Sequence, residues 1–217
     1  EGIEKSEDLE LQIIATGTHL SPVFGNTFKE IEGDGFHITQ KIKILDVDDT
    51  PTGIARSMGL VMNQFPKCYE ELDPSLIVVL GDRFEILAAI TAAHILKIPV
   101  AHIGGGETTE GAIDEAFRHS ITKMSHLHFT ATEEYKKRVI QLGEDPNRVF
   151  NVGALGVESI KKMQLLSKKE VEKFVGINLS KRNLVVTVHP ETLNTSKTPN
   201  QHLENLLIAL SELEDTT

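Results

Sequence analysis

Two stretches decide the fold: Leu76-Ile77-Val78-Val79-Leu80-Gly81-Asp82-Arg83, and after it Ile98-Pro99-Val100-Ala101-His102-Ile103-Gly104-Gly105-Gly106-Glu107. Each is a short apolar run without polar alternation, closed by glycine and a carboxylate. Such runs suit strands buried on both faces. A helical pattern, Phe84 to Leu96, lies between them, and another runs from Ile113 to about Ser125, burying Ile113, Phe117, Ile121 and Met124. Strand, loop, helix, strand, loop, helix is the grammar of a parallel sheet, whose ligands bind at the carboxyl ends of the strands. Asp82 and Glu107 are therefore expected on one rim, beside one cleft.

The same alternation extends outward. Leu11 to Gly17 reads as a strand and Gly25 to Glu32 as a short helix. Phe36 to Asp46 reads as a strand with Ile38, Ile42 and Ile44 as its apolar positions, followed by a solvated turn at Asp48-Asp49-Thr50-Pro51. Thr52 to Leu72 carries one apolar stripe, Ile54, Met58, Val61, Phe65, Cys68 and Leu72, which makes it an amphipathic helix. Leu127 to Phe129 is a short strand. Thr132 caps a helix over Glu133 to Leu142 that stops at Gly143. Val149 to Val152 reads as a buried strand. Ser167 and Glu170 form a capping box for a helix ending before Gly176. Asn183 to Val188 reads as a strand, and Asn200 to Leu213 as a last helix. The fold class is α/β, a doubly wound parallel sheet of Rossmann-like architecture. The expected division is a first domain over 1–158, a connector over 159–182, and the start of a second Rossmann-like domain over 183–217. The polar opening, Glu1 to Glu10, suggests that an earlier strand is missing.

The 217 residues carry a net charge of -10, with 40% hydrophobic and 25% charged residues. That balance is ordinary for a globular protein, and without a Lys/Arg stripe it argues against nucleic acid as a partner. No apolar run approaches the ~18 residues of a membrane span, so no membrane partner is expected. The single cysteine, Cys68, excludes an internal disulfide and fits a reducing, cytoplasmic setting, with the thiol in the core.

Clustered acids are the chemical signal. Asp82 and Glu107, with Asp114 or Glu115, are placed near one cleft, where neighbouring carboxylates separate into acid and base. Arg83 either holds an anion or orients Asp82. Asp114 with Arg118, and Glu115 with His119, lie one helical turn apart; each pair is either a surface ion pair or places an acid in the cleft. Gly104, Gly105 and Gly106 could let a phosphate or sugar approach the backbone. They form neither a dinucleotide fingerprint nor a Walker motif. His119, His126 and His128 match no metal-ligand spacing, so no metal and no cofactor is expected. His189 ends a strand, as Asp82 and Glu107 do.

These residues resemble the hydrolysing UDP-N-acetylglucosamine 2-epimerases of sialic acid biosynthesis. The resemblance rests on Leu80-Gly81-Asp82-Arg83-Phe84-Glu85, His102-Ile103-Gly104-Gly105-Gly106-Glu107, the run from Ile113 to Lys123, Thr132 to Gly143, His189-Pro190-Glu191-Thr192 and Phe24-Gly25-Asn26-Thr27. The non-hydrolysing relatives carry Gly-Asp-Thr and His-Val-Glu-Ala-Gly at the two central motifs, from which this chain departs. The resemblance implies a two-domain GT-B-type fold and the conversion of UDP-GlcNAc and water to N-acetylmannosamine and UDP. It implies Asp82, Glu107, Asp114 and His189 as catalytic residues, and Arg83, Gly105, Gly106, Glu115, Arg118 and His119 as substrate contacts. It leaves a homodimer or homotetramer open. The substrate alternative is UDP-N,N′-diacetylbacillosamine. A truncated nucleotide-sugar-binding module without turnover, or a glycosyltransferase, would be other classes. The segment 1–217 by itself is expected to be inactive.

Overall fold

The computed structural model describes residues 2–45, 50–188 and 199–217. They form two compact units, one over Glu1–Glu107 and Ala116–Val152, the other over Thr108–Glu115 and Gly153–Thr217.

The first unit is a parallel α/β layer structure. Strands β1 (Ile14–Thr16) and β2 (Gln40–Ile42) pair in parallel, with helix α1 (Phe28–Gly33) between them in sequence. Helix α2 (Pro51–Leu72) then leads into β3 (Ile77–Leu80), α3 (Phe84–Ile95), β4 (Val100–Ile103), α4 (Asp114–Met124), β5 (Leu127–Thr130), α5 (Glu133–Gln141) and β6 (Val149–Asn151). Strands β3 to β6 form one parallel sheet in sequence order. Parallel neighbours need a crossover, which α3, α4 and α5 supply in turn. Among the described residues no ladder joins the β1–β2 pair to the four-stranded sheet.

One core serves both sheets. Ile42 and Ile44 meet Val61, Phe65, Cys68 and Tyr69 of α2, Val79 of β3, Ala88 to Ala93 of α3, Val100 and Ile121. The α2 stripe is therefore spent inside its own unit rather than on a partner. This helix starts where Thr50 accepts the Gly53 amide at 3.1 Å and Pro51 presets the first turn. It runs through Pro66 and ends at Asp73, which takes a left-handed conformation. Phe65 packs edge-on against Tyr69, with ring centroids 5.6 Å apart. Cys68 is a buried core thiol whose pKa burial and nearby Glu71 push up.

Five expectations are corrected. β3 is not buried on both faces: Val78 and Leu80 are about half exposed while Val79 is buried, because α2 and α3 line the Val79 side only. β6, the other end strand, likewise exposes Phe150, which stacks on Phe129. Ile113 lies outside α4 and is exposed; the buried stripe of that helix begins later, at Arg118 and Ile121. The segment expected as a strand at Asn183 to Val188 has no strand ladder. Only a bridge between Arg182 and Thr216 forms beside it, and Val185 is fully open to solvent. The strand expected over Phe36 to Asp46 is confined to three residues, although Ile38, Ile42 and Ile44 are buried as the pattern implied. Asp46, Asp48 and Asp49 lie outside the described residues.

The second unit holds helices α6 (Leu155–Lys162), α7 (Lys168–Val175) and α8 (Pro199–Ser211). The capping box of α7 forms as its sequence dictates: Ser167 and Glu170 exchange hydrogen bonds, and Gly176 closes the helix in a left-handed conformation.

Candidate functional site

The site grows from the paired ends of β3 and β4. Register places Leu80 beside Ile103, so the two loops leave the sheet side by side. The Gly81 amide still donates to the Ile103 carbonyl at 3.0 Å, and the Gly104 amide to the Phe129 carbonyl at 3.0 Å. Both glycines then turn at positive φ, +86° and +85°, which a side chain would resist. Asp82 and Glu107 follow these turns.

Arg118, from α4, joins them. One terminal nitrogen of its guanidinium donates to Asp82 Oδ2. The other donates to Glu107 Oε2 and to the Gly104 carbonyl, both at 3.2 Å. The Arg118 side chain is 6% exposed, against 21% for Asp82 and 38% for Glu107. A buried cation therefore holds two partly exposed carboxylates. The trio carries one net negative charge, and its acids sit at the strand ends where a parallel sheet presents its ligands. Such a pair can divide into a proton acceptor and a proton donor. Arg118 was read from sequence as a neighbour of Asp114; its partners at the strand ends lie far away along the chain.

The glycines after β4 are held by packing. A Cβ on Gly105 would lie 3.1 Å from Thr122 Oγ1 and 3.2 Å from His102 Nδ1, and one on Gly106 would overlap the Tyr135 carbonyl oxygen. Arg138 also donates to the Gly106 carbonyl. His102, which the sequence reading passed over as a site residue, is fully buried beneath this loop. Burial lowers its pKa to about 4, opposed in part by its hydrogen bond to the Gly81 carbonyl and aided by the charges of His128 and Arg118.

Arg83 takes a different partner from the one anticipated. Its Nε donates to Glu85 Oε1 at 2.6 Å. The Glu85 side chain is buried, and its Oε2 has no hydrogen-bond partner among the described residues. Gly17, at φ +61°, lies against this carboxylate. Arg83 and Phe84 also line a cavity of 510 Å³ with Lys43, Ser57, Val23 and Phe24 among its walls. The cavity thus opens one residue beyond Asp82.

Two of the other expected residues are not in this cluster's unit. Asp114 and Glu115 begin α4 within the second unit, where Glu115 Oε2 accepts the Thr109 amide at 2.6 Å and ties down the preceding loop. His119 lies on α4 and is half buried. His189 lies outside the described residues. Two further histidines serve separate ends: His126 Nδ1 accepts the Val100 amide at 3.2 Å, and His128 Nε2 meets Glu144 at 3.1 Å. Among the described residues no group of three His, Cys, Asp or Glu side chains is placed to hold a metal. No helix among them is long and apolar enough to cross a membrane.

Comparison with known proteins gives one answer. The family described as UDP-N-acetylglucosamine 2-epimerase matches residues 1–217. The chain is 47% identical over 215 residues to GDP/UDP-N,N′-diacetylbacillosamine 2-epimerase (hydrolyzing) of Campylobacter jejuni, covering 99% of this chain and 56% of that protein. It is 43% identical over 217 residues to the polysialic acid biosynthesis protein P7 of Escherichia coli, covering 99% and 54%. Among solved structures, that of the UDP-GlcNAc 2-epimerase from Neisseria meningitidis bound to UDP-GlcNAc superposes with a TM-score of 0.64 at 20% identity, over 83% of this chain and 50% of that one. The chain spans about half the length of the curated relatives it matches.

Proposed function

The chain belongs to the UDP-N-acetylglucosamine 2-epimerase family, in its hydrolysing branch, and we propose that the protein carrying it is a hydrolysing 2-epimerase of a UDP-linked 2-acetamido sugar. The observation that carries this reading is the trio of Asp82, Glu107 and Arg118 at the paired ends of β3 and β4. In the proposed reaction a carboxylate takes the C2 proton while the C1–O bond to UDP breaks on the opposite face. UDP leaves with the bonding electrons, and a 2-acetamidoglucal remains. Water then adds its oxygen to C1 and a proton to C2 from the other face, releasing the free 2-epimer. Each step needs one acid and one base, and Asp82 and Glu107 are proposed to share them. Arg118 keeps the two carboxylates together through both steps. Asp114 and His189 join the catalytic set, and Glu115, His119, Arg83, Gly105 and Gly106 the substrate contacts, on the strength of the family resemblance.

The substrate favoured is UDP-N,N′-diacetylbacillosamine, the UDP form of the GDP/UDP-linked sugar named for the 47% identical relative and the sugar named for a 37% identical relative of Legionella pneumophila. UDP-GlcNAc, giving N-acetylmannosamine for sialic acid synthesis, is the second reading, supported by the 43% identical polysialic acid protein. We place the protein in the cytoplasm, as a homodimer or homotetramer. Residues 1–158 form its first domain and 159–182 a connector, with 183–217 opening a second. The 217-residue segment alone is expected to give no turnover. Chromatographic measurement of UDP release from each nucleotide sugar tests the reading, with Asp82→Asn and Glu107→Gln as controls. Release by the intact protein and its loss in both variants supports it; undiminished release in either variant removes that acid from the mechanism.

A further inference from the structure

We propose that His102 is a positioning residue, whose neutral imidazole locks the Gly81–Asp82 turn, the Gly105 loop and the Arg118 turn of α4 into one arrangement. The inference rests on the hydrolysing-epimerase reading above.

His102 cannot meet a substrate, because its side chain has no exposed surface. Its two ring nitrogens are committed to the segments that carry the acids. Nε2 lies 2.8 Å from the carbonyl oxygen of Gly81, the residue before Asp82. A carbonyl only accepts, so Nε2 carries the hydrogen and Nδ1 presents a lone pair. Nδ1 lies 3.2 Å from Thr122 Oγ1, whose one hydroxyl hydrogen is then shared between Nδ1 and the Arg118 carbonyl. Thr122 is one helical turn past Arg118, and the same hydroxyl is 3.1 Å from the Arg118 carbonyl. The third contact is steric. Gly105 lies so close to the ring and to Thr122 that no Cβ fits without displacement. His102 opposes Val79 in the β3–β4 register, and its ring reaches the turn that follows β3.

An ordinary core position here would take a leucine or methionine. An imidazole with both nitrogens bonded instead fixes direction: it sets the Gly81 carbonyl, and with it the peptide that aims Asp82. The same ring backs the loop that aims Glu107 and the helix that delivers Arg118. Misplacing reacting groups by about 1 Å can cost on the order of 100-fold in rate. Loss of His102 should therefore lower kcat with little change in KM.

The experiment uses the intact protein with UDP-N,N′-diacetylbacillosamine and UDP-GlcNAc as probes. His102→Met fills the space without either hydrogen bond; His102→Gln retains a donor toward Gly81. Thr122→Val removes the hydroxyl that Nδ1 accepts and serves if the histidine variants do not fold. The expected result is a kcat lowered about 100-fold by His102→Met and about tenfold by Thr122→Val, with KM within about threefold, as misplacement predicts. His102→Gln should recover part of the loss. Nitrogen-15 NMR of histidine-labelled protein should show the Nε2-protonated tautomer at this ring. A folded His102→Met or Thr122→Val variant with wild-type kcat overturns the proposal. So does equal loss in His102→Met and His102→Gln, or an Nδ1-protonated ring. Absence of turnover by the wild-type protein on both nucleotide sugars, with the Nε2 tautomer present, overturns the catalytic reading and leaves the geometry standing.

Discussion

Replacing Arg118 by alanine removes the guanidinium that bridges Asp82 and Glu107. Both carboxylates would then face each other across the strand ends, and the Gly104 carbonyl would lose a donor. Removing one partner from a fully buried ion pair costs about 3–5 kcal/mol, while an exposed pair contributes about 0–1 kcal/mol. Here the arginine is 6% exposed but its partners are 21% and 38% exposed, so water offsets part of the loss. The expected cost is about 2–4 kcal/mol. With a urea slope of about 2 kcal/mol per molar, the unfolding midpoint should fall by about 1–2 M. Arg118→Lys keeps the charge and loses the two-pronged geometry, so it should recover only part of the stability. Combining Arg118→Ala with Asp82→Asn should cost clearly less than the sum of the two single changes, because each removes the other's partner. A midpoint shift below about 0.3 M, or strict additivity in that cycle, would refute the view that Arg118 holds the acids.

Three further outcomes follow from the geometry. Phe65→Ala empties the core between α2 and its neighbours and should destabilise the protein by about 3–5 kcal/mol in urea titration. Gly106→Ala places a Cβ against the Tyr135 carbonyl at a φ of +79°, and should cost more stability than Gly105→Ala, whose Cβ meets side-chain atoms at 3.1 Å and 3.2 Å. The pH dependence turns on His102. Its folded pKa is lowered to about 4, so between that value and its unfolded value near 6.5 the unfolded chain binds the extra proton. Its contribution is complete above pH ~6.5 and is lost as the pH falls toward 4, amounting to about 3 kcal/mol. The stability difference between wild type and His102→Gln should therefore change with pH in that window and level off above it.

The strand-loop-helix grammar and the shared rim of Asp82 and Glu107 were legible because they depend on local pattern. Short apolar runs closed by glycine mark strand ends, and adjacent β3 and β4 need only the crossover through α3. The role of Arg118 was not legible. Helical spacing offers a residue its neighbours one turn away, whereas the link to Asp82 exists only once β3, β4 and α4 are assembled. Gly105 and Gly106 read as positions where a phosphate or sugar could approach the backbone; that His102, Thr122 and Tyr135 also crowd their Cβ positions was not legible, because those contacts form only on assembly. The half-exposed Val78 and Leu80 carry the same apolar signature as a strand covered on both faces, since composition does not record which face a helix covers. The apolar stretch at Asn183 to Val188 reads as a strand from its residues alone, but a strand also requires a ladder, and among the described residues only the short bridge at Arg182 and Thr216 lies alongside it.

The proposed reaction is elimination of UDP followed by hydration. The most direct test is a proton NMR time course of the intact protein with UDP-N,N′-diacetylbacillosamine or UDP-GlcNAc in D2O. Elimination and hydration would give free UDP together with a free 2-epimeric sugar carrying deuterium at C2. A 2-epimer still attached to UDP, or a free sugar retaining its original C2 hydrogen, would contradict it.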